Sequence, residues 1–144
     1  PHAEVTAVDV SREALAIATH NAEQLGARVR LLESDWFSSL ADGQFDLIVS
    51  NPPYIATNDP HLAQGDLRFE PMTALASGAD GLDAIRNIVR NARDHLAPAG
   101  LLLFEHGYDQ ADRVRALLES AGYTSIEQQR DIAGIVRVSG ARRG

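Results

Sequence analysis

Asn51-Pro52-Pro53-Tyr54 follows directly on the apolar run from Phe45 to Ser50. A plain turn needs at most one proline, so two prolines between an amide and an aromatic ring ask for another reason. Methylation of a planar nitrogen is one. The enzyme must hold the –NH2 group by its hydrogens and aim the delocalised lone pair at the methyl carbon. The Asn51 side-chain oxygen and the Pro52 carbonyl are two acceptors suited to those hydrogens. Pro53 has no N–H and restrains Pro52 toward an extended backbone. Tyr54 can pack on the planar group and face the positive charge that develops there. The structural alternative is a stiff proline-rich loop with a surface tyrosine.

Magnitudes say how such a motif would work. Enzymes lower barriers by about 8–23 kcal/mol. One preorganised polar contact to the reacting group contributes about 3–4 kcal/mol, and alignment of two bound reactants about 7–11 kcal/mol. Positioning therefore dominates. No strong base is required, because the nitrogen becomes acidic as it is alkylated.

Two further polar features stand at the ends of β-rich runs. Asp9 closes "EVTAVDV", where a carboxylate can accept both hydroxyls of a ribose; the alternative is that it helps cap the following helix. Asp35-Trp36 closes "RVRLLES", where the ring can stack on adenine while the acid accepts from its amino group. A tryptophan covering the sheet end is the alternative for that pair. Taken together, the two features read as an adenosine site.

The elements that would position these groups alternate strand and helix. Strands are expected over 4–10, 28–34, 45–51 and 101–105. Helices are expected after Ser11 as N-cap up to Gly26, over 82–96, and over 111–121. "YTSIEQQ" and "GIVRVSG" read as a closing antiparallel pair at a sheet edge. The pattern is α/β, a mostly parallel sheet with helices on both faces and its ligand at the carboxyl ends of the strands. Residues 54–81 form a long aperiodic segment, in which Gly78 and Gly81 suggest a flexible stretch that orders on substrate. Glu105 and His106 are adjacent on a strand end and so point to opposite faces, with Glu105 expected to brace the Asn51 loop.

The bulk composition fits one globular domain spanning 1–144. Of the 144 residues 44% are hydrophobic and 23% charged, and there is no cysteine. No apolar run approaches the ~20 residues of a membrane span and no signal-peptide pattern opens the chain, so a cytoplasmic protein without membrane partners is expected. The net charge of −7 argues against direct nucleic-acid binding, which relies on Lys and Arg. The Ala141–Gly144 end reads as a solvated, frayed terminus rather than a basic patch. The five histidines lack metal-ligand spacing, and no metal is expected.

"NPPYI", preceded by "AVDVS" and "ESDWF" and followed by "FEPMTALASGADGL", "FEHGYDQ" and "DIAGIVRV", resembles the release-factor glutamine N5-methyltransferases over essentially the whole chain. The NPPY tetrapeptide alone is shared with adenine-N6 and guanine-N2 methyltransferases; the other segments narrow it. The resemblance implies a Rossmann-like S-adenosylmethionine-dependent methyltransferase fold, with S-adenosylmethionine as cofactor and a peptide-chain release factor as protein partner. It implies that Asp9 binds the cofactor ribose and that Asp35 and Trp36 line its adenine pocket. Asn51 would touch cofactor and substrate, Asn51 through Tyr54 would hold the glutamine amide, and Glu70-Pro71 would lie near the substrate entrance.

The family's glycine-rich segment and small N-terminal helical domain precede the point matching Pro1. The fold is thus expected to be truncated before the strand ending at Asp9, with a central strand missing between those ending at Asp9 and Asn51. Unpaired backbone groups there would cost about 1–3 kcal/mol each if buried. Either the chain is part of a longer one or another chain fills the slot, and weak or absent cofactor binding by the 144 residues alone is expected. An exocyclic-amine methyltransferase of nucleic acid and an inactive remnant serving as a binding module are the other readings.

Overall fold

The computed structural model describes residues 3–40, 45–63, 69 and 71–144. They group into two compact units, 1–43 and 44–144, where patterning alone suggested one domain.

The first unit is a β-α-β segment. Strand β1 (Val5–Asp9) pairs in parallel with β2 (Val29–Glu33), from Val5 opposite Val29 to Asp9 opposite Glu33. Helix α1 (Arg12–Leu25) connects them. Its start follows from Ser11, whose Oγ accepts from the Ala14 amide at 3.1 Å. Its end follows from Gly26 in the left-handed region at φ 61°, with the cap amide returning to Ala22 and Glu23 carbonyls. Among its described residues, this unit buries no hydrophobic side chain; Val5, Val8, Ile17 and Leu25 are all exposed.

The second unit holds the core. A four-stranded sheet runs in the order β3 (Phe45–Ser50), β4 (Leu96–Glu105), β6 (Val136–Arg143), β5 (Tyr123–Arg130). The β3–β4 pair is parallel and the other two are antiparallel. A short α2 (Met72–Leu75), then α3 (Asp83–His95) and α4 (Ala111–Ser120), complete the unit. Helix α3 buries Ala84, Ile85, Ile88, Val89 and Ala92, the stripe its 3.6-residue period dictates. Opposite it, β4 alternates, with Leu102, Phe104 and His106 buried and Leu101, Leu103 and Glu105 half-buried. Val114 and Leu118 of α4 close the same core, and Tyr123 ties β5 to α3 by donating to the Val89 carbonyl at 3.1 Å.

Three sequence expectations change. Strand β4 begins at Leu96, not 101, because Leu96 pairs with Phe45 and the register then shifts past Ala99, which sits at φ 60°. The C-terminal end is not frayed: Ala141 is fully buried and pairs with Leu102, and the Arg142 guanidinium donates to the Ala99 carbonyl at 2.8 Å. Basic residues there serve the sheet edge. Gly78 and Gly81 lie in a hydrogen-bonded turn at φ 72° and 74° rather than in loose chain.

Among the described residues β1 and β3 each have a strand partner on one side only. Both present large apolar residues, Val8 on β1 and Leu47 and Val49 on β3, to solvent.

Because the dry core lies in the second unit, Leu102→Ala should lower the unfolding free energy by about 2–5 kcal/mol while Ile17→Ala changes it by less than about 0.5 kcal/mol. Urea denaturation of the two variants checks this contrast; equal losses would contradict the placement of the core.

Candidate active site

In the first unit, the ends of β1 and β2 are adjacent, since the Ser34 amide donates to the Asp9 carbonyl at 3.0 Å. Asp9 is exposed, and its Oδ1 accepts from the Ser11 amide at 2.8 Å. The capping role weighed from sequence is therefore real, and it engages one of the two carboxylate oxygens. Past β2 the chain turns sharply. Buried Ser34 organises the turn: its Oγ donates to the Trp36 carbonyl at 2.9 Å and accepts from the Ser39 amide at 3.0 Å. This turn holds Trp36 at φ 53°, a conformation that L residues seldom adopt and that local restraint must maintain. Its ring is half-buried beside an exposed Asp35. Asp9, Asp35 and Trp36 thus gather at one pair of strand ends.

In the second unit, Asn51 leaves β3 exposed while Pro52 is buried and Pro53 and Tyr54 are half-buried. Among the described residues no donor or acceptor engages the Asn51 side chain or the Pro52 carbonyl. The Tyr54 hydroxyl and carbonyl, by contrast, are both held. Its hydroxyl donates to Glu105 Oε1 at 2.8 Å and accepts from Arg137 Nη2 at 3.0 Å. Arg137 also donates to Glu105 at 3.2 Å, and its guanidinium carbon lies 5.4 Å from the Tyr54 ring centroid. The Tyr54 carbonyl accepts from Gln110 Nε2 at 2.9 Å. Burial, followed by the Glu105 contact, raises the phenol above its ordinary pKa against the opposing Arg137, so the hydroxyl stays protonated at neutral pH.

The next residues are held as well. Ile55 donates to the Leu75 carbonyl at 3.0 Å, Ser77 to Ile55 at 2.9 Å and Thr57 to Gly78 at 2.9 Å. Ser77 Oγ accepts from the Ala84 amide at 2.7 Å, joining this ladder to the start of α3. Gly81 has no room for a side chain, as a Cβ there would stand 2.4 Å from the Tyr54 carbonyl oxygen. Pro71 is exposed just ahead of α2, whose Leu75 meets Ile55; Glu70 lies outside the described residues.

Behind Glu105, the wholly buried His106 faces the other way, as strand alternation requires. Its partners assign its tautomer. Nδ1 lies 2.9 Å from the Gly107 carbonyl, which can only accept, so Nδ1 carries the proton. Nε2 then accepts from Ser139 Oγ at 2.9 Å, and that oxygen accepts from Gln128 Nε2 at 3.1 Å. The ring is neutral, and burial is the main cause of its lowered pKa.

Sequence reasoning brought forward Glu105 but missed Arg137 and Gln110. Both stand inside the "DIAGIVRV" and "FEHGYDQ" segments, and nothing in their local pattern marks them. Only the return of β6 beside β4, and of the N-cap of α4 toward Tyr54, shows their role.

Residues 1–66 match the family model described as methyltransferase small domain. Over 141 residues the chain is 56% identical to the release factor glutamine methyltransferase of Bordetella pertussis, covering 97% of this chain and 52% of that protein. The chain spans about half the length of the relatives it matches. A methyltransferase crystal structure from Pyrococcus furiosus superposes with a TM-score of 0.71 at 24% identity, over 98% of this chain and 63% of that one. The 16S rRNA N2 G1207 methyltransferase of T. thermophilus, solved with AdoMet and guanosine, gives 0.65 at 20% identity, over 99% and 32%. The fold is that of S-adenosylmethionine-dependent methyltransferases.

His106 generates a pH dependence of stability. Its folded pKa lies below the unfolded value of about 6.5, so the unfolded chain binds the proton first. The stabilisation is complete above that pH and is lost as pH falls below it. Urea midpoints at about pH 7.5 and 5 should diverge in the unaltered protein and converge in His106→Gln, relative to their own neutral values. An undiminished acid shift in the variant would refute the assignment.

Proposed function

As a relative of the release factor glutamine methyltransferases along nearly its whole length, this chain, we propose, is the catalytic part of an enzyme that methylates the side-chain amide nitrogen of glutamine in a peptide-chain release factor. One observation carries the reading. At the end of β3, no partner among the described residues engages the Asn51 side chain or the Pro52 carbonyl, while the hydroxyl and carbonyl of the neighbouring Tyr54 are both occupied. Two available acceptors beside a held ring suit a planar –NH2 group.

The residues at the ends of β1 and β2 fit S-adenosylmethionine. Among the described residues nothing engages the second carboxylate oxygen of exposed Asp9, which suits the ribose hydroxyls, and the strained turn offers the Trp36 ring and Asp35 to adenine. When bound, that cofactor supplies a methyl group on a sulfonium, and the amide nitrogen takes it as the carbon–sulfur bond breaks. Asn51 and Pro52 accept the two amide hydrogens and so set the nitrogen's direction. Tyr54 presents its ring face to the charge that grows on nitrogen, and its committed hydroxyl keeps that ring in plane. The proton passes to water once the nitrogen is alkylated, because the alkylated amide is strongly acidic. Glu70 and Pro71 are proposed to border the substrate's entrance, and a cytoplasmic location follows from the substrate.

The test is transfer of labelled methyl from S-adenosylmethionine to a release factor by the full-length protein, with rRNA and DNA as competing acceptors. Labelling should appear on the release factor, and Asn51→Ala should cut kcat by about 10²–10³-fold. Label on nucleic acid alone would replace the glutamine reading with the exocyclic-amine one.

A further inference from the structure

Gln110 is the N-cap of α4, yet its side chain makes no cap bond to its own helix. Ser, Thr, Asp or Asn would serve a cap better. Its buried amide instead reaches three loops at once. Nε2 donates to the Tyr54 carbonyl at 2.9 Å and to the Gly81 carbonyl at 3.3 Å, and Oε1 accepts from the Gly107 amide at 2.8 Å. Two acceptors and one donor converge there. A primary amide of this length satisfies all three; a carboxylate would face two carbonyl oxygens, and an apolar side chain would leave all three groups unpaired.

Arg137 performs the matching task at the far end of the same residue. Its Nη2 spans the Tyr54 hydroxyl and Glu105, and its guanidinium lies over one face of the ring.

We propose that Gln110 and Arg137 are positioning residues for the Asn51–Tyr54 turn: they fix Tyr54 at its carbonyl and at its ring, and thereby set where the Asn51 oxygen and the Pro52 carbonyl receive the substrate amide. This rests on the methyl-transfer reading of the turn. It adds two residues from α4 and β6 that act through Tyr54 without touching substrate. Gln110 also carries the buried His106 chain to the turn, because Gly107 bonds to both.

The experiment uses the full-length protein with Gln110→Met, Arg137→Met and Arg137→Lys, read in two ways. The first is amide hydrogen exchange at Ile55, Thr57 and Ser77, which needs no substrate. The second is kcat and KM for the release factor beside the dissociation constant of S-adenosylmethionine. Gln110→Met should speed exchange at Ile55 and Thr57 by at least about tenfold. Both Met variants should lower kcat by about 10–100-fold while cofactor affinity stays within about threefold, since misplacing a turn by a fraction of an ångström impairs alignment rather than cofactor binding. Arg137→Lys should restore part of kcat, keeping the charge but not the planar stack. Unchanged exchange, an unchanged kcat, or a kcat loss matched by lost cofactor affinity each overturns the proposal. Should Gln110→Met not fold, the Arg137 pair decides by the same readouts. If the unaltered protein labels no release factor, the glutamine reading fails while the exchange data still decide the positioning.

Discussion

A strand that ends in a reactive turn must stop pairing while its next residues stay fixed. The second unit meets that demand through Tyr54. Its hydroxyl is shared by Glu105 and Arg137, its carbonyl is taken by Gln110, and Ile55 enters a short ladder with Leu75 and Ser77. The two prolines before it reduce the conformations open to the backbone. Among the described residues nothing engages the Asn51 side chain or the Pro52 carbonyl, which leaves the two acceptors a bound –NH2 group requires.

The network behind the turn is directional. Each hydrogen from Gln128 through Ser139, His106 and Gly107 to Gln110 has one assignable direction, because carbonyls only accept and backbone amides only donate. A second proton on His106 would face the hydrogen that Ser139 now donates to it, so that the hydroxyl would have to turn away and accept from both His106 and Gln128. Burial of this chain is tolerable because its members are satisfied. Among the described residues, no buried side-chain polar atom lacks a partner.

The two units differ in how they are held. The second has a layer of Ile85, Ile88, Val89, Leu102, Phe104, Val114 and Leu118 excluded from water. The first has correct local geometry, with a capped helix and five residue pairs in register, but its apolar residues stay in contact with solvent. Capping and strand pairing shape a β-α-β segment; burial of apolar surface is what stabilises one. The single-sided edges of β1 and β3, with Val8, Leu47 and Val49 exposed, belong to the same pattern.

Local order was legible in the amino-acid sequence because local forces decide it. Ser11 and Gly26 bound α1, the 3.6-residue stripe of α3 emerged with Ile85, Ile88 and Val89 buried, and the alternation around Glu105 and His106 placed them on opposite faces. The positions of Asp9, Asp35-Trp36 and Asn51 at strand ends were also determined there, since a strand must end where its apolar run does. What only the tertiary structure decided are the partners. That β6 returns between β4 and β5, bringing Arg137 over a ring 83 residues earlier, depends on long-range pairing that no local pattern encodes. The same holds for Gln110 at the Tyr54 carbonyl and for a basic C-terminus that completes a sheet: each is settled by which surfaces meet, and chain-local propensity is silent on that.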